Sequence, residues 1–398
     1  MPVQFWIGLI EDLWTASFGR AIFLCMDDLQ QQAHALLKKS SLFSNATLDR
    51  VDLLAGDMST RRYARLYLSD AKVSTVILML LNQGKGPVRG GRQDLTQDDT
   101  FVQLTNFLSG NGIAVPRLYL DARKEGALLV EDVGDMPLWH FAFRELRDEH
   151  RKVEDLLGAD AVEKLYRQCI DITKTLQSIP EDPKCIAFQR WVEFEQYRRE
   201  IAEFAEYYAK PKGIKPAALK LLENAYDAIC ESICSHPRKL SHFDYMSHNL
   251  FVTPEGGIRV LDFQDMCLVS PVRDIVSLIN DRDTDSALGK SRHARLLEYF
   301  MKELAVDAAF PQRYNEYMLH WDFRVSGRFV LLAEQRGIAR YGKWIPGTLR
   351  RLGRTLVRAH RDIHGLSDVL DMLVKLSPEI REGSEDPWDL PLLPRAAK

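Results

Sequence analysis

The sequence lacks an uninterrupted apolar run long enough to span a bilayer, lacks a strong charge of either sign, and lacks any pairing pattern among its cysteines. Each absence excludes something. Two apolar stretches, Phe5 to Ile10 and Ala21 to Cys25, are separated by Glu11, Asp12 and Arg20, so neither a spanning helix nor a signal peptide with a basic segment ahead of a continuous apolar core is expected. The formal net charge of the 398 residues is −3, with acids and bases interspersed, and nothing in that balance points to a nucleic acid as partner. The six cysteines, at 25, 169, 185, 230, 234 and 267, form no CxxC pair and no zinc spacing. Free thiols in a reducing, cytoplasmic setting are the simplest account. Internal repeats are absent too. What is present is apolar material: 46% of residues are hydrophobic, enough for the core of two domains or of one large bilobal one.

The stretch around which the chain is organised runs from Leu240 to Val252 and, after a Gly256-Gly257 turn, from Ile258 to Asp265. It holds His242, Asp244 and Asn249 in an H-x-D-x-x-x-x-N spacing and delivers Asp262 beside Phe263. Leu250 to Val252 and Ile258 to Leu261 read as two short strands around turn residues, so an antiparallel hairpin would carry Asn249 at its start and Asp262 at its end and bring them together. An acid, an amide and a second acid at these intervals suit phosphoryl transfer from a nucleotide. That reaction asks for one carboxylate to orient and deprotonate an acceptor hydroxyl, and for hard oxygen ligands to hold Mg²⁺ against the phosphates. Asp244 is the candidate base, Asn249 and Asp262 the candidate metal ligands. Taken singly, each acid reads as a turn or capping residue; the joint spacing reverses that.

These residues resemble the catalytic and metal motifs of the aminoglycoside phosphotransferase and choline kinase family, small-molecule relatives of protein kinases. The run from Asp262-Phe263 through Pro271 to Asp274 extends the resemblance. It implies structural support of the catalytic loop by His242 and Asp274. His248 reads as a solvated loop residue.

Towards the amino terminus, residues 27–43 read as an amphipathic helix and Ala46 to Leu54 as a first strand. A polar turn from Ala55 precedes a strand beginning at Tyr63. Such a strand, turn and strand can cover nucleotide phosphates with backbone N–H groups, and Gly56, Ser59 and Thr60 are the candidates. A single Gly in the turn also fits an ordinary hairpin. The next strand, Ser74 to Leu81, contains no lysine, where kinases of the resembled fold usually have one for the α/β-phosphates. One branch of the family, the anomeric kinases for N-acetylmuramate and N-acetylglucosamine, is similar here: its G-D-x-S-x-R-R-Y-x-R turn matches Gly56 to Arg65. The resemblance offers Arg61, Arg62 or Arg65 as the replacement charge, with Arg62 in the nucleotide set. Leu128 to Gly134 resembles the family's hinge, where backbone groups at Glu131 and Val133 would meet adenine.

From Met136 the chain reads as helical, with core stripes over 157–179 and 188–208. Glu193 and Asp281 are the candidate substrate residues, Asp281 heading a run with Asp283 and Asp285 that would also attract a cationic acceptor. Solvated helix acids are the plainer reading of Glu193. The arginines at 340, 350, 351, 354, 358 and 361 read as a solvated basic face, and the proline-rich segment from Ser377 as irregular.

The expected architecture is α+β, a protein-kinase-like bilobal fold. It comprises an amino-terminal extension and helix over 1–44, an antiparallel nucleotide-binding lobe over 45–133, a mainly helical catalytic lobe over 134–376 and a tail over 377–398. Met26 begins an ordinary-looking cytosolic amino terminus, and residues 1–25 are expected to be dispensable. The resemblance implies ATP and Mg²⁺ as cofactors, with the anomeric hydroxyl of an amino sugar in cell-wall recycling as acceptor. An aminoglycoside- or choline-type kinase, a nucleotide-binding pseudokinase and a lipid-surface scaffold remain open as alternatives.

Overall fold

The computed structural model of the chain describes residues 26–54, 62–81, 96–143, 148–361 and 363–388. They fall into two units: the residues before 84 together with Arg117–Asp132, and the remainder.

In the first unit, apolar side chains recur with strand period. Along β2 (Arg62–Ser69), Ala64, Leu66 and Leu68 are buried while their neighbours are not, because successive side chains point to opposite faces. β1 (Thr47–Leu54) pairs antiparallel with β2, and β2 with β3 (Thr75–Leu80). A helix, α2 (Gln97–Gly110), then precedes β4 (Leu118–Ala122) and β5 (Ala127–Glu131). The five strands form one sheet in the order β1-β2-β3-β5-β4, and each pairing is antiparallel. Helix α1 (Met26–Lys39) lays Leu29, Ala33, Leu36 and Leu37, one helical stripe, into the core formed with Ala64, Leu66, Val76, Leu78 and Leu129. Burial of each large apolar side chain contributes about 1.5–3 kcal/mol. The helix is therefore part of this unit rather than of a separate extension.

The second unit is mostly helical. Its helices are α3 (Leu138–Phe143), α4 (Asp148–Leu157), α5 (Ala161–Ser178), α6 (Phe194–Phe204) and α7 (Pro216–Ser235). Four short strands follow: β6 (Lys239–Ser241), β7 (Leu250–Val252), β8 (Ile258–Val260) and β9 (Cys267–Val269). β7 pairs antiparallel with β8 and β6 with β9. Then come α8 (Arg273–Asn280), α9 (Thr284–Glu303), α10 (Phe310–Val330), α11 (Ile345–Ala359), α12 (Leu366–Leu376) and α13 (Pro378–Glu385). No helix among the described residues is long and apolar enough to cross a membrane.

Four expectations are corrected. Helix α2 groups with the second unit, not with the sheet, because Phe101 stacks on Phe263 with ring centroids 5.1 Å apart and Arg190 donates to Thr100 Oγ1 at 2.9 Å. The helix expected over 157–179 starts later, at Ala161: Leu157 ends the preceding helix, and Gly158 between them adopts φ +71°. The segment from Ser377 is not irregular at its start. Ser377 caps α13 by accepting from Ile380 N at 3.3 Å, Pro378 occupies the first turn, and Gly383 and Gly353 let α13 and α11 meet backbone to backbone. Finally, Arg351 and Arg354 are not solvated: Arg351 reaches Asp322 at 2.7 Å and Asp285 at 3.1 Å, Arg354 pairs with Asp285, and all four are buried.

Candidate active site

The organising stretch folds as a loop bonded to itself at every turn. β6 leads into His242, and there the chain reverses through Phe243, which adopts φ +77°. A non-glycine side chain in that region costs roughly 1–2 kcal/mol, so something must hold it. Asp274, fully buried in the first turn of α8, does so: Ser241 Oγ donates to Oδ1 at 2.6 Å, Phe243 N to Oδ1 at 3.3 Å and His242 N to Oδ2 at 3.0 Å. Burial pushes the Asp274 carboxyl up, against the pull of the Ser241 hydroxyl and the neighbouring charges of His242 and Arg273. Arg273 is fixed from the same helix, with Nε donating to Phe243 O at 2.7 Å and the guanidinium over the Phe243 and Trp321 rings. Its Nη2 lies 3.6 Å from Asp244 Oδ1.

The hairpin closes on this loop. His242 Nε2 meets Leu261 O at 2.8 Å, Leu261 N donates to Asn249 O at 2.8 Å, and Asn249 Nδ2 donates to Asp244 O at 2.9 Å. Residues 242, 261, 249 and 244 are thus joined by a run of three hydrogen bonds, with Asp262 one peptide beyond Leu261. Asp262 takes the left-handed conformation at φ +61°, which an aspartate tolerates better than most residues, while Phe263 beside it is buried against Phe101. Anchoring the Phe and turning the backbone leaves the Asp262 carboxylate exposed. The Asp244 side chain is 20% exposed.

This donor set fits a magnesium ion that shares its coordination with phosphates. Asn249 spends its amide nitrogen on the Asp244 carbonyl, so the amide oxygen is the atom offered to a cation; Asp262 adds a carboxylate. Mg²⁺ is commonly held by one or two protein oxygens, the remainder of its octahedron being phosphate and water. Among the described residues no group of three or more His, Cys, Asp or Glu side chains is placed to hold a metal ion.

Beside the loop stands a second cluster. Asp281, at the end of α8, is buried and ion-paired with Arg282. Arg282 Nη1 also meets His248 Nδ1 at 3.1 Å, and the His248 ring lies 4.3 Å from that of Trp139. His248 is therefore no solvated loop residue. Burial first, then the Arg282 charge, pulls its pKa down to about 2.

The other expected site residues are placed as follows. Glu193 is exposed ahead of α6 and accepts a hydrogen bond from the Trp191 indole; no bond joins it to the 242–249 loop among the described residues. Arg62 opens β2, exposed, opposite Leu80. Glu131 closes β5 with its N–H donated to Arg117 O at 2.8 Å, and Val133 is half-buried. Gly56, Ser59, Thr60 and Arg61 lie outside the described residues. β3 carries no lysine, and Arg65 of β2 makes a two-pronged bond to Asp132, at 2.6 and 3.0 Å. Sequence reasoning missed Arg273, Arg282 and the role of His248. The pairing of Arg273 with Asp274 on one helix was the only local hint.

Comparison with known proteins gives a consistent set of likenesses. A family model described as "Phosphotransferase enzyme family" matches residues 51–310. An N-acetylmuramate/N-acetylglucosamine kinase of Pseudomonas aeruginosa is 26% identical over 284 residues, covering 69% of this chain and 77% of the relative. A protein of the same name from Caulobacter vibrioides is 25% identical over 327 residues, covering 75% and 85%. Among solved structures, a GDP complex of wild-type aminoglycoside 2'-phosphotransferase-IIIa matches with TM-score 0.51 and 13% identity, over 83% of this chain and 99% of the other. A choline/ethanolamine kinase family protein from Mesorhizobium loti matches with TM-score 0.50 and 12% identity, over 86% and 99%. At those identities the structures speak for the fold, which is that of the kinase-like phosphotransferases.

Proposed function

The chain belongs to the phosphotransferase enzyme family and is a phosphotransferase acting on a hydroxyl group; from that premise we propose that it transfers the γ-phosphoryl group of ATP to the anomeric hydroxyl of an amino sugar, as a step in the recycling of cell-wall sugars. The observation that supports this reading is the run of hydrogen bonds linking His242, Leu261, Asn249 and Asp244, which draws the proposed base and one proposed ligand into one loop, with Asp262 one peptide beyond. Asp244 accepts the acceptor's hydroxyl proton and aligns its oxygen. Arg273 keeps that carboxylate in place from a buried position. Asn249 and Asp262 would hold Mg²⁺, which when bound would offset the charge that develops on the transferring group. Arg62, Glu131 and Val133 are the candidate nucleotide contacts within the described residues.

Two observations favour a sugar over a cationic acceptor. The curated relatives are named as amino-sugar kinases. In addition, Asp281 and Asp285, which an aminoglycoside or choline would seek, are buried and paired with Arg282, Arg351 and Arg354, so the acidic run offers little open negative charge.

A ³¹P-NMR screen with Mg²⁺-ATP and a panel of hydroxyl acceptors tests this. A sugar 1-phosphate is expected, and Asp244→Asn should lower turnover by about 10²–10⁴-fold while leaving nucleotide affinity within a few-fold. Consumption of aminoglycosides or choline in preference to sugars would replace the substrate reading. ATP binding without turnover across the panel would make the chain a pseudokinase, and retained turnover in Asp244→Asn would remove Asp244 from its role.

A further inference from the structure

His248 stands one position before Asn249 and four after Asp244, inside the loop that the Asn249 to Asp244 bond closes. Its ring is fixed on two sides. The Trp139 ring lies against it, with centroids 4.3 Å apart and planes inclined by 37°. Arg282 Nη1 meets Nδ1 at 3.1 Å. A guanidinium has only donors, so Nδ1 must be the acceptor in that bond; a neutral imidazole whose Nδ1 accepts carries its proton on Nε2. Arg282 is itself immobilised: it pairs with buried Asp281, approaches Met246 Sδ at 3.5 Å, and lies over the Trp344 ring at 5.1 Å. Turning the His248 ring over would break the Arg282 bond. The chain has thus built an N–H donor of fixed direction. Among the described residues it has no partner, on a side chain 29% exposed.

We propose that the Nε2–H of His248 binds an oxygen of the acceptor molecule, with Arg282 as the residue that positions it, and that this donor favours an acceptor that presents a hydroxyl, ring or carbonyl oxygen there over one that presents an ammonium group. The inference rests on the phosphotransfer reading above and narrows its substrate class. An N–H donor needs a lone pair to meet, which a sugar hydroxyl, a ring oxygen or an acetamido carbonyl supplies. A quaternary ammonium or a protonated amine supplies none. The same loop therefore carries the base, a metal ligand and the acceptor's anchor within six residues, Asp244 to Asn249.

Steady-state kinetics of the full chain with Mg²⁺-ATP test this, using the wild type and the variants His248→Leu, His248→Asn and His248→Gln. The amide nitrogen of a glutamine reaches about where Nε2 stands, whereas that of an asparagine reaches only the Nδ1 position. His248→Leu and His248→Asn should raise the KM for the sugar about 5–30-fold, the size expected when one partner of a hydrogen bond is left unsatisfied, with the KM for ATP within about twofold. His248→Gln should return the sugar KM to within about threefold of wild type. Thermal melts followed by circular dichroism identify any variant that fails to fold, and the Gln variant, which keeps the side chain polar and similar in reach, decides the matter if the Leu variant does. An unchanged sugar KM in His248→Leu, an equal rise in both KM values, or a Gln variant no better than Leu would overturn the inference while leaving the phosphotransfer reading intact. A wild-type protein that prefers cationic acceptors would overturn the selectivity, and one that phosphorylates no hydroxyl acceptor would overturn the function and this inference with it.

Discussion

Replacing Asp274 by asparagine changes almost no volume and tests whether the catalytic loop is held by charge-accepting geometry. The carboxylate takes three donors: Ser241 Oγ at 2.6 Å and Phe243 N at 3.3 Å on one oxygen, His242 N at 3.0 Å on the other. An asparagine can keep its oxygen on the Ser241 side only by turning its NH₂ toward the His242 N–H, so one charge-assisted bond is lost and two buried donors face each other. The lost bond accounts for about 1.5–3 kcal/mol and the unsatisfied donors for about 1–3 kcal/mol. Against this, the neutral amide escapes the burial that pushes the Asp274 carboxyl up. The expected net loss is about 2–4 kcal/mol, a large share of the roughly 5–15 kcal/mol that stabilises a typical domain. Phe243, at φ +77°, is the residue whose conformation these bonds enforce. Released, it would swing the adjoining Asp244 out of line, so kcat should fall at least about 100-fold even where the variant is folded, since a misplacement of the order of 1 Å costs that much. Urea titration at low temperature gives the stability change, and initial rates under the same conditions give kcat. An Asp274→Asn protein within about 0.5 kcal/mol of wild type, with kcat intact, would refute the claim that Asp274 positions the base.

The remaining predictions address other parts of the fold. Burial by itself would lower the Arg351 guanidinium, but the Asp322 and Asp285 carboxylates beside it hold it raised and charged; Arg351→Met should therefore cost about 3–5 kcal/mol by leaving buried carboxylates short of a partner. Adding Asp322→Leu should recover most of that in urea midpoints, and a single variant as stable as wild type would show the network to be dispensable. A methyl group added at Gly383 would lie 1.9 Å from Arg350 O, so Gly383→Ala should lower the melting temperature and leave α13 open to proteolysis, whereas an unchanged melt would mean that α11 and α13 separate without cost. Glu316 is buried and accepts from His236 at 2.8 Å; burial raises its pKa, but the His236 and Gln312 bonds outweigh that, and the folded value lies below the ordinary 4.5. A depressed folded pKa contributes stability that is complete above the ordinary carboxylate range and disappears as pH falls through the folded value. The urea midpoint should drop as the solution is acidified below 4.5, less steeply in Glu316→Gln, and parallel pH curves for the two proteins would contradict this.

How far the sequence reveals this molecule depends on how far along the chain the deciding partner lies. Asp244, Asn249 and Asp262 could be brought together on paper because the two strands that join them are three residues each and pair across a short turn; hairpin geometry is local. The five-stranded sheet was legible for the same reason. The start of α13 carried a readable signal, Ser377 as cap with Pro378 in the first turn, which the later prolines at 387, 391 and 394 obscured when composition was weighed over the whole tail. Helix α2 lies between two strands of the sheet in sequence, and it is distant partners, Phe263 for Phe101 and Arg190 for Thr100, 162 and 90 positions away, that assign it to the other unit.

The acids after α8 are the sharpest case, because local pattern points the wrong way there. Asp281, Asp283 and Asp285 within five residues read as an open acidic run that would suit a sugar and a cationic acceptor alike. In the folded chain Asp281 is closed by its own neighbour Arg282, and Asp285 by Arg351 and Arg354, 66 and 69 positions later. Those same arginines had read as a solvated basic face. Two apparent surface features of opposite sign, far apart in sequence, cancel each other in the interior. Only Asp283 of the three is left without an arginine bonded to it among the described residues, and burial, then the Asp285 charge, pushes its carboxyl up towards neutrality. Little open carboxylate is therefore left after α8 to meet a cationic acceptor, and it is on this ground that the proposed sugar acceptor and the role proposed for His248 stand together.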